Sequence, residues 1–333
     1  MEVADALARG GSASIARTVT ADREVEPPFD PAIVAVAGRL AQRMATPERA
    51  TEKTAYQIRN TAALLVESTG VTDIRHLKQS DIAVFCNTMS QLPPTYRKSA
   101  KEKTMPLADI IAAAAKKSTK VGLAPATVNR NIGFIKRFVT HAKAEGITLK
   151  EVIEIKDLRE RDAQDDQEKV TPFDRLEIRK LFTGSIWSGC QSAARRTTPG
   201  KMFIRDGLYW IPLIAAYTGA RREEIAGLQK SDILREDEIW AFNFTFTEVR
   251  RLKNAQSKRK VPIHEHLIEL GLLDHVNKIK TGRIFPELKR KSGLANLGDH
   301  IHYNFRNMLD KQLGSIAGER RFHSFRHYVS HPA

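Results

Sequence analysis

Apolar positions recur with helical spacing over much of the chain. Residues 51–67 place Tyr56, Ala63, Leu64 and Val66 near one face, which predicts an amphipathic helix ended by Gly70. Ser80 and Asp81 open a second helix that runs through Met89 and stops before Pro93 and Pro94. Residues 107–117, with five alanines, read as a third. Pro125 starts the clearest helix of all. Its stripe is Ile132, Ile135, Phe138, Val139 and Ala142, with Arg130, Lys136, Arg137 and Lys143 lying mostly off it. A shorter helix is expected over 31–43, behind a Gly- and Pro-containing arm.

The pattern changes at Thr171. Thr-Pro-Phe-Asp reads as a helix start with Pro172 in its first turn. Residues 209–218 are apolar and end at Gly219. Residues 238–247 alternate in part and are rich in aromatic and β-branched side chains, as a strand is, and 259–263 read as a second strand. A polar, basic turn region separates them. The expected fold class is therefore mainly α with a small antiparallel β-sheet. A helical bundle precedes an α+β domain.

Charge sharpens the division. The 333 residues carry 54 Lys and Arg against 39 Asp and Glu, a formal charge of +15. The surplus falls in two blocks, 51–150 at +9 and 171–333 at +11, separated by 151–170 at −4. Four segments are expected: an arm and short helix (1–50), a helical DNA-binding domain (51–155), an acidic linker (156–170) and a larger domain (171–333). Two basic blocks suit a polyanionic partner, most often nucleic acid, although a plain basic surface carries the same charge. Cys86 and Cys190 match no paired spacing, which fits a reducing cytoplasm and argues against a disulfide framework or a Cys-based metal site. No apolar stretch approaches the length of a membrane span.

Candidate chemistry rests on basic side chains. Arg221 stands at an expected helix start, Lys253 on the expected hairpin, and His323 and Arg326 are three apart, so they share a helical face. Converging guanidinium groups pair bidentately with phosphate oxygens and stabilise a pentavalent transition state without a metal. A lysine or histidine supplies a proton to the departing alkoxide. Taken singly, each reads equally well as a surface residue.

The boxes together resemble the tyrosine recombinases, or phage integrases. Residues 217–228 (Tyr-Thr-Gly-Ala-Arg-Arg-Glu-Glu-Ile-Ala-Gly-Leu) look like the family's first catalytic box, with Asp232-Ile233 following. Residues 252–264 resemble its β-hairpin, where a lysine precedes a turn and a Val-Pro strand. Residues 322–327 (Phe-His-Ser-Phe-Arg-His) are similar to its His-x-x-Arg box, and 126–138 to the last helix of its core-binding domain. The boxes stand in the family's order, and the resemblance covers roughly residues 51–333.

The resemblance implies a helical core-binding (SAM-like) domain and an α+β catalytic domain closing as a C-shaped clamp on duplex DNA. It gives Arg221 and Arg326 the scissile phosphate, Lys253 the role of general acid toward the 5′ oxygen, His323 a part in proton transfer and Glu224 a supporting role. Arg130, Lys136, Arg137 and Lys143 become DNA contacts. It implies self-association on DNA, no cofactor or metal, no membrane, and the recombination or integration chemistry of a mobile element. The family pattern continues with a Leu-Gly-His box and a nucleophilic tyrosine, which are not found after Arg326, so a C-terminally incomplete catalytic domain is expected. Tyr328 lies two residues from Arg326 and is expected to point away from it, and Tyr303 reads as a packing residue. No nucleophile is assigned, so the resemblance implies a reaction through a 3′-phosphotyrosyl intermediate that this chain alone is expected not to carry out. The alternative is a DNA-binding remnant that competes with an intact recombinase. A type IB topoisomerase resembles this site closely, but the core-binding helices and hairpin favour a recombinase. The pairs His264/His266 and His300/His302 lack an accompanying acid or thiol cluster and read as surface or turn histidines, and Arg222 and Glu223 as solvated helix residues.

Overall fold

Ile33, Val36, Ala37, Leu40 and Ala41 repeat at the spacing of one helical face, and the helix they form, α1 (Ile33–Met44), buries all five. The computed structural model describes residues 29–45, 52–154, 158–160, 171–247, 250, 257–290 and 296–330. The chain divides into two units, Met1–Arg161 and Asp162–Ala333, each with its own apolar core. The fold is mainly α with one small antiparallel sheet, as the patterning implies.

The first unit continues with α2 (Glu52–Thr69), α3 (Gln79–Gln91), α4 (Leu107–Lys116) and α5 (Pro125–Ala144). The buried face of α2 differs from the expected one. It is Ala55, Ile58, Thr61, Ala62, Leu64 and Leu65, whereas Tyr56 and Ala63 are exposed. The stripe at i, i+3, i+7 and i+10 is Ala55, Ile58, Ala62 and Leu65, with Thr61 and Leu64 flanking it, and it leaves Tyr56 on the outer side. Thr61 belongs there because its Oγ donates to Asn131 Oδ1 of α5 at 2.6 Å inside the core. Gly70 ends α2 with φ +75°, its N–H donating to the Val66 carbonyl. All five stripe residues of α5 are buried, and Arg130, Lys136, Arg137 and Lys143 are exposed.

Helix α1, expected beside the arm, packs into this same core. It is tied to the end of α5 by Arg39, whose Nε and Nη2 donate to the two Glu145 carboxylate oxygens at 2.8 and 2.7 Å. Buried His141 lies 3.3 Å from the same carboxylate. Burial pulls the His141 imidazole below its ordinary value of 6.5, with Arg43 and Arg39 adding to this and Glu145 opposing it. The Glu145 carboxyl is also held low, chiefly by the Arg39 hydrogen bond. A depressed histidine contributes fully above its unfolded value and loses its contribution as pH falls through 6.5. Glu145 adds a second loss below 4.5. The first unit is therefore expected to weaken as pH falls below about 6.5, and His141→Leu to flatten that slope, in urea melts followed by circular dichroism.

The second unit holds α6 (Arg175–Phe182), α7 (Ser185–Ser188), α8 (Gly207–Thr218), α9 (Arg222–Ala226), the strands β1 (Ile233–Glu236), β2 (Ile239–Phe244) and β3 (Arg259–Pro262), then α10 (Glu265–Glu269), α11 (Leu272–Lys278), α12 (Asp299–Leu313) and α13 (Ser324–Ser330). The first of these begins later than Thr171, and Pro172 lies outside it. Asp174 caps it instead: its Oδ1 accepts from Glu177 N, while the Glu177 carboxylate accepts from Asp174 N. The sheet order is β1-β2-β3, antiparallel throughout, with Ile233 opposite Phe242 and Phe244 opposite Arg259. Strand β1 was not expected.

At the centre lies α8, whose residues from Gly207 to Ala216 are all buried. A helix apolar on every side must be enclosed by its neighbours, and α9, α12 and α13 surround this one. Among the described residues no helix is long and apolar enough to cross a membrane.

Candidate functional site

The end of α8 sets the site. Gly219 takes φ +60°, a left-handed conformation that suits glycine, and its N–H donates to the Ala215 carbonyl. A Cβ at Gly219 would come within 3.2 Å of Val329 Cβ, so α13 approaches this turn closely. Two residues on, Arg221 caps α9. Its backbone N–H donates to Glu224 Oε2 at 3.0 Å, and its Nη1 donates to Glu224 Oε1 at 2.7 Å and to Ser257 Oγ at 3.3 Å.

Glu224 is buried and receives a further donor. Arg259 Nη2, from β3, reaches Glu224 Oε2 at 2.9 Å. Burial pushes the Glu224 carboxyl up, but the hydrogen bonds from Arg259 and Arg221 outweigh it and leave the group below its ordinary value. Glu224 therefore remains an anion.

Arg326 occupies the first turn of α13, and its Nη1 donates to the Gly219 carbonyl at 3.1 Å. Burial, then repulsion from Arg221, pulls its guanidinium below the ordinary value; Glu224 opposes this and Arg259 adds to it. Three guanidinium groups thus share one region with a single carboxylate. The positive surplus suits an anion with several oxygens, a phosphate above all.

His323 lies in the turn just before α13, and its carbonyl accepts from Arg326 N at 3.0 Å. The pair therefore straddles a helix start rather than sharing a helical face, and the exposed imidazole lies 5.1 Å from the His327 ring, centroid to centroid. Lys253 lies outside the described residues. Sequence reasoning missed Arg259 and Ser257. The only signal for Arg259 was strand register: it stands opposite Phe244 across 15 positions of chain.

Other residues depart from expectation. Glu223 is not a solvated helix residue: its two carboxylate oxygens accept from Leu297 N and Gly298 N at 3.0 and 2.7 Å, at the start of α12. Arg222 joins it through Asp299 at 2.5 Å. Tyr303 is 73 % exposed on α12, so it is not a packing residue. Tyr328 follows Arg326 by two positions on α13, about 200° around the axis. It packs against the core and lies beside Tyr217, whose phenol is pushed up first by burial and then by Tyr328 and Glu269. The Tyr217 hydroxyl pairs with His266 Nδ1, and His264 Nδ1 accepts from His266 N at 3.1 Å as the cap of α10. His302 Nδ1 stands 3.4 Å from Arg222 Nη1. Among the described residues no three His, Cys, Asp or Glu side chains gather as a metal site.

No family model and no curated protein matches the chain. Solved structures do. It is similar to the Tn1549 transposon integrase in complex with circular intermediate DNA, at 14 % identity and a TM-score of 0.53, over 89 % of this chain and 84 % of that one. It is similar to a lambda integrase dimer bound to a COC′ core site, at 12 % identity and 0.51, over 87 % and 67 %. A lambda integrase tetramer bound to a Holliday junction aligns at 14 % identity and 0.50, over 91 % and 74 %. The fold of this chain is the fold of these integrases.

Proposed function

We propose that this chain is a tyrosine recombinase that binds duplex DNA and holds one phosphodiester between Arg221 and Arg326 for metal-independent strand transfer. The observation that carries the reading is the gathering of Arg221, Arg259 and Arg326 around one buried carboxylate at the end of α8. Such a site favours the extra charge of a pentavalent phosphorus over the ground-state diester. In this reading a tyrosine hydroxyl, which none of the described residues is assigned to supply, attacks the phosphorus and forms a 3′-phosphotyrosyl bond as the P–O5′ bond breaks; Lys253 protonates the departing 5′ oxygen, His323 assists the transfer and Glu224 holds Arg221. The exposed Arg130, Lys136, Arg137 and Lys143 of α5 neutralise backbone phosphates.

The integrases that share this fold are described on DNA, as a dimer and as a tetramer among others. They support duplex DNA as the ligand and self-association on it, in the setting of a mobile element. No nucleophile is assigned among the described residues. Tyr328 stands about 200° around α13 from Arg326 and packs against the core, and this placement favours a second reading in which the chain occupies sites without cutting them.

Selection from a random duplex pool tests the proposal. An enriched sequence is expected, and Arg221→Gln or Arg326→Gln should each weaken binding to it about ten-fold or more, the worth of a charged hydrogen bond. Replacing Lys136, Arg137 and Lys143 together by alanine should weaken all duplexes alike and flatten the salt dependence by about 0.9 per lost phosphate contact. No enrichment, with both glutamine variants unchanged, would sink the reading. A nicked copy of the selected site then separates the two forms: a trapped 3′-phosphotyrosyl complex marks the strand transferase, and binding without it marks the occupant.

A further inference from the structure

Arg259 stands in β3 directly opposite Phe244 of β2, and its guanidinium lies 4.6 Å from the centroid of that buried ring. Cation–π contact fixes the plane of the group. Its Nη1 donates to the Ser257 carbonyl at 2.9 Å and its Nη2 to Glu224 Oε2 at 2.9 Å. Two of its three nitrogens are thus committed inside the protein and one face is covered. Glu224, only 2 % exposed at its side chain, passes the constraint on: its other oxygen takes Arg221 Nη1 at 2.7 Å.

We infer that Arg259 is a positioning residue that fixes the direction of the Arg221 guanidinium through Glu224, an inference that rests on the phosphate-binding reading of the same site. The chain of contacts runs Phe244, Arg259, Glu224, Arg221, from a strand to a helix cap. The links are a ring face, a single charged hydrogen bond from Arg259 Nη2 to Glu224 Oε2, and the two bonds that Glu224 accepts from Arg221. Without Arg259, Glu224 keeps only its contacts with Arg221 itself, and nothing on the strand anchors the pair. Arg221 then loses its fixed direction while keeping its charge. That distinguishes positioning from electrostatics: Arg259→Lys retains a cation on the strand but has no planar fork to lie on Phe244 while bonding Glu224.

The test uses the full chain labelled with ¹⁵N, and reads the Nε–Hε signal of Arg221 with no ligand present. A held guanidinium gives a resolved, slowly exchanging signal. Arg259→Gln is expected to broaden it or move it to the position of free arginine, and Arg259→Lys to do so in part. The Glu224 carboxyl should titrate at higher pH in both. An Arg221 signal unchanged in Arg259→Gln overturns the inference. Should the glutamine variant fail to fold, shown by collapse of the Trp210 indole signal, the lysine variant decides, and an unchanged Arg221 signal there overturns it equally. A separate arm addresses the ligand. On duplex DNA carrying the selected site, Arg259→Gln is expected to lose several-fold in affinity in the wild-type background and nothing further in Arg221→Gln. Equal losses in both backgrounds overturn the positioning role. If no variant and no wild-type protein binds DNA, the recombinase reading fails, while the ligand-free Arg221 signal still decides this inference.

Discussion

Asp232→Ala is expected to lower the unfolding free energy of the second unit by about 3–5 kcal/mol, the cost of leaving a buried charge without its partner. The charge is Arg250, whose side chain is fully enclosed. Its Nη1 and Nη2 donate to the two Asp232 oxygens at 2.6 and 3.0 Å. Its remaining hydrogens go to the carbonyls of Thr245, Asn243 and Gly227. Gly227 packs against the base of the same side chain: a Cβ there would lie 2.9 Å from Arg250 Cβ. The double variant Asp232→Leu with Arg250→Met should recover only part of the loss: it removes the unpaired charge, but leaves the carbonyls of Thr245, Asn243 and Gly227 and the Gln229 N–H without the partners they have now. Tryptophan fluorescence in urea reads this unit alone, because all three tryptophans, Trp187, Trp210 and Trp240, belong to it. A single variant that melts as the wild type does would show that the pair is solvated.

Phe325→Ala is expected to cost about 3–5 kcal/mol in the same melt, from lost burial and the cavity left behind. Phe325 is wholly buried and meets Phe173, Phe322 and Phe305 at centroid distances of 4.8, 5.4 and 5.8 Å. Two of those contacts are tilted and one is edge-to-face, the geometries aromatic pairs prefer. The residue is also the immediate neighbour of Arg326. The cavity should therefore loosen α13 and weaken the DNA binding proposed above at temperatures where the unit is still folded. Phe325→Leu, which refills most of the volume, should do less of both.

Much of this was legible in the chain, and the reasons for the rest are specific. The α5 stripe and the run before Gly219 read correctly because their burial is dictated by local periodicity. The pairing of β2 with β3 followed from alternation and β-branched content. Strand β1, Ile-Leu-Arg-Glu, was hidden because it is four residues long and half charged; it exists because β2 offers it an edge. The face of α2 was misplaced because its core contact is a threonine and not the nearby tyrosine. Arg250 lay in a basic stretch that looks like a solvated turn, and Arg259 opened the expected strand 259–263, whose pattern does not report what its side chain meets. Whether such an arginine is buried depends on a carboxylate 18 or 35 positions away, which no local pattern reports. The same holds for Glu223, whose partners are 74 and 75 positions distant.

The left-handed turn at Gly219 has a mechanical consequence. Its carbonyl is held by Arg326 of α13, its α-carbon lies against Val329 of the same helix, and Arg221 begins α9 two residues further on. The helix that brings Arg326 and the turn that brings Arg221, the two phosphate ligands proposed above, are thereby fastened at a hinge with no side chain. An anion that draws Arg326 off the Gly219 carbonyl tugs on the root of Arg221 at the same moment, so the two ligands answer to one displacement and not to two.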